Sequence, residues 1–184
     1  MTEASSVNSL VGRFAQFVDR HACVPVLLVL LFLSALFPVI VFPAHGIGDM
    51  VPLDLYFSYD PDQVHSHLSA LGEQGRRAYA GMLLISDMVF PLFYTSALSV
   101  ALVLGLRSKL APGHRRLCLF PFLVVIADWC ENLCLATAVR AYPDSVDTVV
   151  RIASISTSLK WALLAVTLLM LLAAAVYRLV QKKG

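Results

Sequence analysis

Charge is what this sequence has least of. Only 14% of its 184 residues are Asp, Glu, Lys or Arg, where a soluble globular domain carries about 25%. That shortage excludes an ordinary water-facing surface over most of the chain. The formal net charge of +2 is too small to call for a nucleic-acid partner, and the basic residues are spread over loops instead of forming one patch. Cysteine is scarce too: Cys23, Cys118, Cys130 and Cys134 make no C-x-x-C pair and lie in or beside apolar runs. They indicate buried thiols acting as small hydrophobes, not a disulfide framework or a zinc site. There is no Walker loop, H-E-x-x-H or G-x-S-x-G, so the common nucleotide and hydrolase chemistries have no support. No repeat or low-complexity tract stands out. Nothing in the sequence implies a cofactor or a metal.

Long apolar runs take the place of the missing charge. Hydrophobic residues make up 59% of the chain and the mean hydropathy is +0.78. About 20 apolar residues cross a bilayer as a helix, and four stretches qualify: about 24–43, 82–104, 117–139 and 152–180. The expectation is an all-α polytopic membrane protein, a four-helix bundle with residues 1–184 forming a single transmembrane domain. The run from Val24 to Phe42 exceeds a signal-peptide core of about 7–15 residues and follows a long polar lead, so it is read as a retained span.

Residues 44–80 form a polar loop with order of its own. Asp60-Pro61-Asp62 is a helix start, with Asp60 capping and Pro61 at the first helical position. Val64, Leu68 and Leu71 share a face and Gly72 ends the run, which predicts a short amphipathic helix on the membrane surface or over the bundle mouth. With the N-terminus inside, the inner segments hold about nine basic residues and the outer ones about five, the positive-inside bias. Arg107, Lys109, Arg115, Arg116, Arg178, Lys182 and Lys183 are on the inner side. Asp49, Asp54, Asp60, Asp62 and Glu73 fall in the first outer loop, a weaker signal. Both termini are therefore expected in the cytoplasm, with the protein in the plasma or inner membrane.

Four ionisable residues lie inside the spans: Asp87 in the second, Asp128 and Glu131 in the third, and Lys160 in the fourth. Each costs roughly 2.5–3.5 kcal/mol to insert, so each needs a partner or a purpose. At about 1.5 Å per residue, Asp87 lies roughly 25 Å from the inner face, Glu131 and Asn132 roughly 21–23 Å, Lys160 about 18 Å and Asp128 roughly 16 Å. All fall in the outer half, within about two helical turns of one another. Asp128, Glu131 and Asn132 are spaced i, i+3 and i+4 and form one stripe. Asp87, Pro91 and Tyr94 share a face, and Pro91 cannot donate to the carbonyl of Asp87, which joins the same pocket. Ser156 and Thr157 flank the direction of Lys160. A water-accessible polar chamber opening outward follows.

A purely structural network is the competing reading, since polar contacts join membrane helices. Three acids against one base, however, leave a net negative charge unless protons are shared. His65 and His67 are two apart and diverge on a helix, so a metal pair gains no support. Arg76 and Arg77 stand just before the second span, placed to hold lipid phosphates or to anchor the helix at the interface. Trp161, Tyr142 and Tyr177 read as interfacial aromatics or packing.

One series resembles a group of small four-span bacterial-type integral membrane proteins to which no activity is attached. It comprises Tyr56 to Tyr59 with Asp60-Pro61, Gly75-Arg76-Arg77-Ala78-Tyr79, Asp87 with Phe90-Pro91 and Tyr94, Asp128-x-x-Glu131-Asn132, and Thr157 with Lys160-Trp161. The resemblance covers about residues 50 to 165 and implies that the pocket residues belong together. More loosely, Asp87-Met88-Val89-Phe90-Pro91 is similar to the acid-then-proline second span of the sterol-isomerase and sigma-2-receptor type of four-span fold. That likeness implies lipophilic ligands held against intramembrane carboxylates, by analogy alone.

Three function classes follow. The first is an enzyme or binding protein for a membrane lipid or lipophilic small molecule. In it Asp87, Asp128, Glu131 and Lys160 are the candidate catalytic residues and Asn132, Tyr94, Thr157, Arg76 and Arg77 the candidate substrate-binding ones. The second is an assembly subunit whose polar groups bond to partner helices, in a homo-oligomer or a membrane complex. The third is a proton-coupled transporter, for which four spans without a repeat require an oligomer.

Overall fold

In a computed structural model the chain is described over residues 2–46, 50–106 and 112–181, with side chains described except at 2–9, 112–115 and 181. Asp49, Arg107, Lys109, Lys182 and Lys183, used above for orientation, lie outside the described residues, as does the side chain of Arg115. Among the described residues every regular element is helical: α1 (Thr2–His21), α2 (Val24–Leu36), α3 (Pro61–Gly81), α4 (Asp87–Leu106), α5 (Phe122–Ala141) and α6 (Asp147–Gln181). Four helical stretches are long and apolar enough to cross a membrane: Val24–His45, Pro61–Leu106, Arg116–Ala141 and Asp147–Val180. Many of their large apolar side chains point outward, among them Phe32, Ile85, Ile126, Ile155 and Leu169. Such a surface suits a protein whose solvent is acyl chain. The chain is an all-α, multi-pass membrane bundle.

Successive spans run in alternate directions. One end of the bundle carries residues 50–60 and 142–146 and is called here the loop end. The other carries α1, the 3₁₀ segment Pro112–Leu119 and the C-terminus of α6, and is called the terminal end. Two clusters of buried side chains match this division. Leu53, Tyr59, Val64, Leu68, Tyr79, Met82, Leu83, Leu135 and Val150 pack at the loop end. Val18, Ala22, Val100, Leu102, Val103 and Cys118 pack at the terminal end. Small residues let α5 and α6 lie close, with Ala127, Ala136, Ala138 and Ala153 all buried. A Cβ on Gly105 of α4 would come within 3.3 Å of Ala174 on α6.

Several boundaries differ from those read in the sequence. The polar lead before the first span is itself a helix, α1, with Ala15 and Val18 buried and Leu10, Phe14 and Phe17 exposed. The segment read as a loop with a short helix is largely helical. Asp60 and Gln63 form a reciprocal capping box (Gln63 N–H to Asp60 Oδ1 2.8 Å, Asp60 N–H to Gln63 Oε1 2.9 Å) and Pro61 starts the helix. As expected, the first helical run ends at Gly72, and a second run then continues to Gly81 and the second span. Gly72 makes the break with φ +64° and ψ −179°, a region open almost only to glycine. The third span begins at Arg116, close to the expected 117, with its first residues in 3₁₀ form and α5 starting at Phe122, whereas the fourth begins at Asp147, about a turn before 152.

Two wide π-helical turns interrupt the spans. Phe37–Val41 continues α2, and Pro38, lacking an N–H, sits inside it; Phe42 N–H bonds back five residues to the Phe37 carbonyl at 2.9 Å. Met82–Ser86 joins α3 to α4 and ends at Asp87, whose N–H returns to the Met82 carbonyl. Single π turns of this kind recur beside functional side chains.

Replacing Gly72 with alanine places a Cβ in open space, so the penalty is backbone strain alone. Gly72→Ala is expected to destabilise the fold by about 1–3 kcal/mol, seen as earlier thermal unfolding in detergent. An unchanged transition would show that the kink relaxes freely.

Candidate functional site

Lys160, on α6, is the point on which the buried polar groups converge. Its ammonium lies 2.7 Å from Glu131 Oε2 and 3.0 Å from Asp128 Oδ1, both on α5. The i, i+3 spacing of the two acids turns both toward α6, so one amine bridges them. Asp54, from the 3₁₀ turn Leu53–Leu55, adds a third carboxylate at 3.8 Å. Glu131 and Asn132 have no exposed surface, Asp128 retains 4% and Lys160 5%; removing one partner therefore costs far more than at a surface ion pair of the same geometry.

Neutral donors complete the network. Thr157 donates to Glu131 Oε1 at 2.6 Å, and the Tyr59 hydroxyl reaches the same oxygen at 3.2 Å. Thr157 and Tyr59 hydroxyl oxygens are 3.0 Å apart. Asn132 donates to Asp128 Oδ2 at 3.2 Å and to the main-chain carbonyl of Asp87 at 3.3 Å. That carbonyl has no helical donor because Pro91 occupies the fourth position after it. Burial, and next the charge of Glu131, hold the Tyr59 phenol well above its usual range, so it stays protonated and acts as a donor.

Asp87 stands apart from the clamp. It is 98% buried, and its Oδ2 has no hydrogen-bond partner among the described residues. It faces a cleft of about 300 Å³ bounded by Asp87, Phe90 and Tyr94 of α4, Asp128, Lys160 with Trp161 of α6, and Asp54 and Leu55 above. Phe90 is backed by Phe37 and Phe42, with ring centroids 5.4 and 5.3 Å away, so the first span buttresses the apolar wall.

No protein-family model, curated protein or solved structure matches this chain. The site therefore rests on its own geometry. Three carboxylates (Asp54, Asp128 and Glu131) meet one ammonium, and a fourth, Asp87, is buried beside the same cleft. Such a group holds cations, shares protons or accepts hydrogen bonds from a donor. Among the described residues no cluster of three or more His, Cys, Asp or Glu is arranged to hold a metal.

The structure gathers Asp87, Asp128, Glu131, Lys160, Asn132 and Thr157 into one network, with Tyr94 in the wall of the cleft. Arg76 and Arg77 are not brought to it. Arg76 turns back across the Gly72 break to donate to the Leu68 carbonyl at 3.0 Å, while its guanidinium lies 4.2 Å over the Tyr142 ring. Arg77 pairs with Glu73 on the exposed side of α3. Tyr142 is thus a packing partner, and Trp161 is more than an interfacial anchor: its indole N–H binds the Asp54 carbonyl at 3.2 Å. Asp54 and Tyr59 were not singled out as site residues in the sequence. Tyr59 stood in the resembling series from Tyr56 to Asp60-Pro61; Asp54, in a loop without periodicity, gave no local signal.

Removing the amine while keeping the acids tests the clamp. Lys160→Met is expected to cost about 3–5 kcal/mol, the usual result of stranding a buried charge, with Lys160→Met/Glu131→Gln recovering part of the loss. Unfolding by graded SDS in mixed micelles measures both. Equal stability of Lys160→Met and the wild type would show that the amine is not clamped.

Proposed function

We propose that the protein binds, and in doing so positions for proton transfer, a lipophilic small molecule or membrane lipid whose polar head donates hydrogen bonds. The observation that carries this reading is Asp87: a buried carboxylate with an unpartnered oxygen in a cleft whose apolar walls are Leu55, Phe90, Tyr94, Trp161 and Leu164, with Asp54, Asp128 and Lys160 as its other polar groups. Apolar walls with a few convergent polar groups are what a small-molecule site requires. The excess of acids over Lys160 favours an alcohol or an amine and disfavours an anionic head, because a further carboxylate meets like charge. Position supports the same reading. The cleft lies between two spanning helices, α4 and α6, whose Phe90, Tyr94, Trp161 and Leu164 are half-buried there while Leu55 is exposed, which suits a ligand arriving from the acyl-chain region.

The assembly reading fits less well. Lys160 finds its oxygen partners within its own chain, so the cluster does not need a second subunit to balance the amine.

Titration in lipid nanodiscs tests the binding, with tryptophan emission as the readout because Trp161 lines the cleft. Dodecanol and dodecylamine are expected to give saturable changes that dodecanoate does not. Asp87→Asn is expected to weaken amine binding by about tenfold or more, the value of a charge-assisted hydrogen bond. No saturable response to any of the three, with no lipid copurifying, would remove the proposal.

For orientation, we propose that the terminal end faces the cytoplasm, in the plasma or inner membrane. Arg13, Arg20 and Arg116 all belong to elements at that end, and Lys and Arg concentrate on the cytoplasmic side of membrane proteins. A fluorescent protein that matures only in the cytoplasm, fused after Gly184, should fluoresce. Activity from an exported phosphatase at the same position would reverse the assignment.

A further inference from the structure

A second cavity, of about 400 Å³, opens at the loop end between the 53–60 segment and the first turns of α3. Its lining is polar where the cleft is apolar: Asp60, Asp62, Gln63, Ser66 and His67 surround it, with Tyr56 and Tyr59. Asp62, Gln63 and Ser66 are exposed, so this space belongs to the aqueous phase. Tyr59 stands at the boundary. It is 7% exposed and lines this cavity, while its hydroxyl lies 3.2 Å from Glu131, which is fully enclosed. The ring is fixed from two sides: the Tyr59 N–H donates to Ser154 Oγ at 3.0 Å, and the hydroxyl meets Thr157 at 3.0 Å.

From Glu131 the contacts continue inward. Lys160 bridges Glu131 to Asp128 at 2.7 and 3.0 Å, and Asp128 borders the apolar cleft together with Asp87. A continuous series of polar contacts therefore runs from the Tyr59 hydroxyl to the cleft, and Tyr59 itself borders the loop-end cavity. The charged groups that act on Glu131 along the way are Lys160, Asp128, Asp54 and Asp87.

We propose that the loop-end cavity is the aqueous port of a proton path to the buried acids, and that the Tyr59 hydroxyl is the relay that delivers the proton to Glu131. In the step, the phenol O–H bond breaks as its proton moves to Glu131 Oε1. The phenol oxygen takes a replacement proton from hydronium in the cavity, which leaves as water. Tyr59 ends as it began, and Glu131 gains one proton. Thr157 lies within hydrogen-bond reach of both oxygens and keeps them aligned. Tyr59 is in these terms a positioning and relay residue, not one that touches a ligand. The path is independent of what the cleft binds, and the ligand-free protein suffices to test it.

The experiment is a bulk pH jump, neutral to acidic, on the full chain in nanodiscs, followed by time-resolved infrared absorption of the carboxyl groups. The Glu131 band is assigned by its loss in Glu131→Gln. Tyr59→Phe is expected to slow protonation of Glu131 by about a hundredfold, the lower range for a positioned proton-transfer group. Ser66→Trp, which fills the mouth of the cavity and leaves the phenol intact, should slow it as well. Tyr56→Phe alters a lining hydroxyl for which no contact with Glu131 is seen, and should leave the rate unchanged. Wild-type rates in both Tyr59→Phe and Ser66→Trp would overturn the proposal. So would a Glu131 band that never responds in the wild type, or slowing by Tyr94→Phe instead, since Tyr94 lines the apolar cleft. Should Tyr59→Phe fail to fold, Ser66→Trp decides alone.

Discussion

Lys160 carries its charge inside a helix whose outer side meets acyl chains, and an ammonium there persists only among oxygen partners. That requirement fixes the register of α6 against α5, because Asp128 and Glu131 must both reach one nitrogen at 3.0 and 2.7 Å. It also draws in the loop before α3. Ser154, Ser158 and Trp161, spaced i, i+4 and i+7 along α6, hold Tyr59 N–H, the Phe57 carbonyl and the Asp54 carbonyl respectively. The loop is pinned over the same face that presents the lysine. Asp54 and Tyr59 reach the site because the backbone carrying them is fastened there.

Much of this was legible from spacing alone. The apolar runs marked the spans. The i, i+3, i+4 relation of Asp128, Glu131 and Asn132 placed them on one face, and a fixed rise per residue brought three helices to a common level. Pro91 was informative for a covalent reason: a missing N–H leaves a carbonyl that something else must satisfy, and Asn132 takes that place. What escaped were residues placed by long-range contacts rather than by period. Asp54 and Tyr59 sit in a loop, and their partners lie roughly a hundred positions further along. The misplacement of Arg76 had a different origin. Basic residues before a span suggest lipid phosphates, but Arg76 turns inward, bonding the Leu68 carbonyl and covering the Tyr142 ring, which uses the side chain. α1 was legible in principle, since Leu10, Phe14 and Phe17 recur at helical spacing; its polar composition outweighed that signal.

Asp87 lies between two irregularities of its helix, the π turn that ends at it and the proline four residues on. Each loosens the backbone ladder where a regular helix would be more stable. Ser86, in the π turn, also contacts His45 at 2.6 Å, linking the end of the first span to this irregular stretch. Together with the Phe37–Phe42–Phe90 contacts, this gives the first span a definite role. It supports the helix that carries the unpartnered acid without contributing a charged group to the site.

A structural clamp for one lysine needs one carboxylate, or two when both can be reached by hydrogen bonds. Here three lie within 4 Å of it, and a fourth acid, Asp87, is buried nearby without a partner for Oδ2. In a low-dielectric setting each surplus acid is a liability, whether it is ionised beside its neighbours or protonated and left without an acceptor. Replacing Asp87 by an apolar residue of similar size would remove that liability at no loss to the clamp, since the ion pairs to Lys160 come from α5 and the loop. Under the proposed function, an acid with a free oxygen at the border of an apolar cleft is accounted for by the polar head of whatever occupies that cleft.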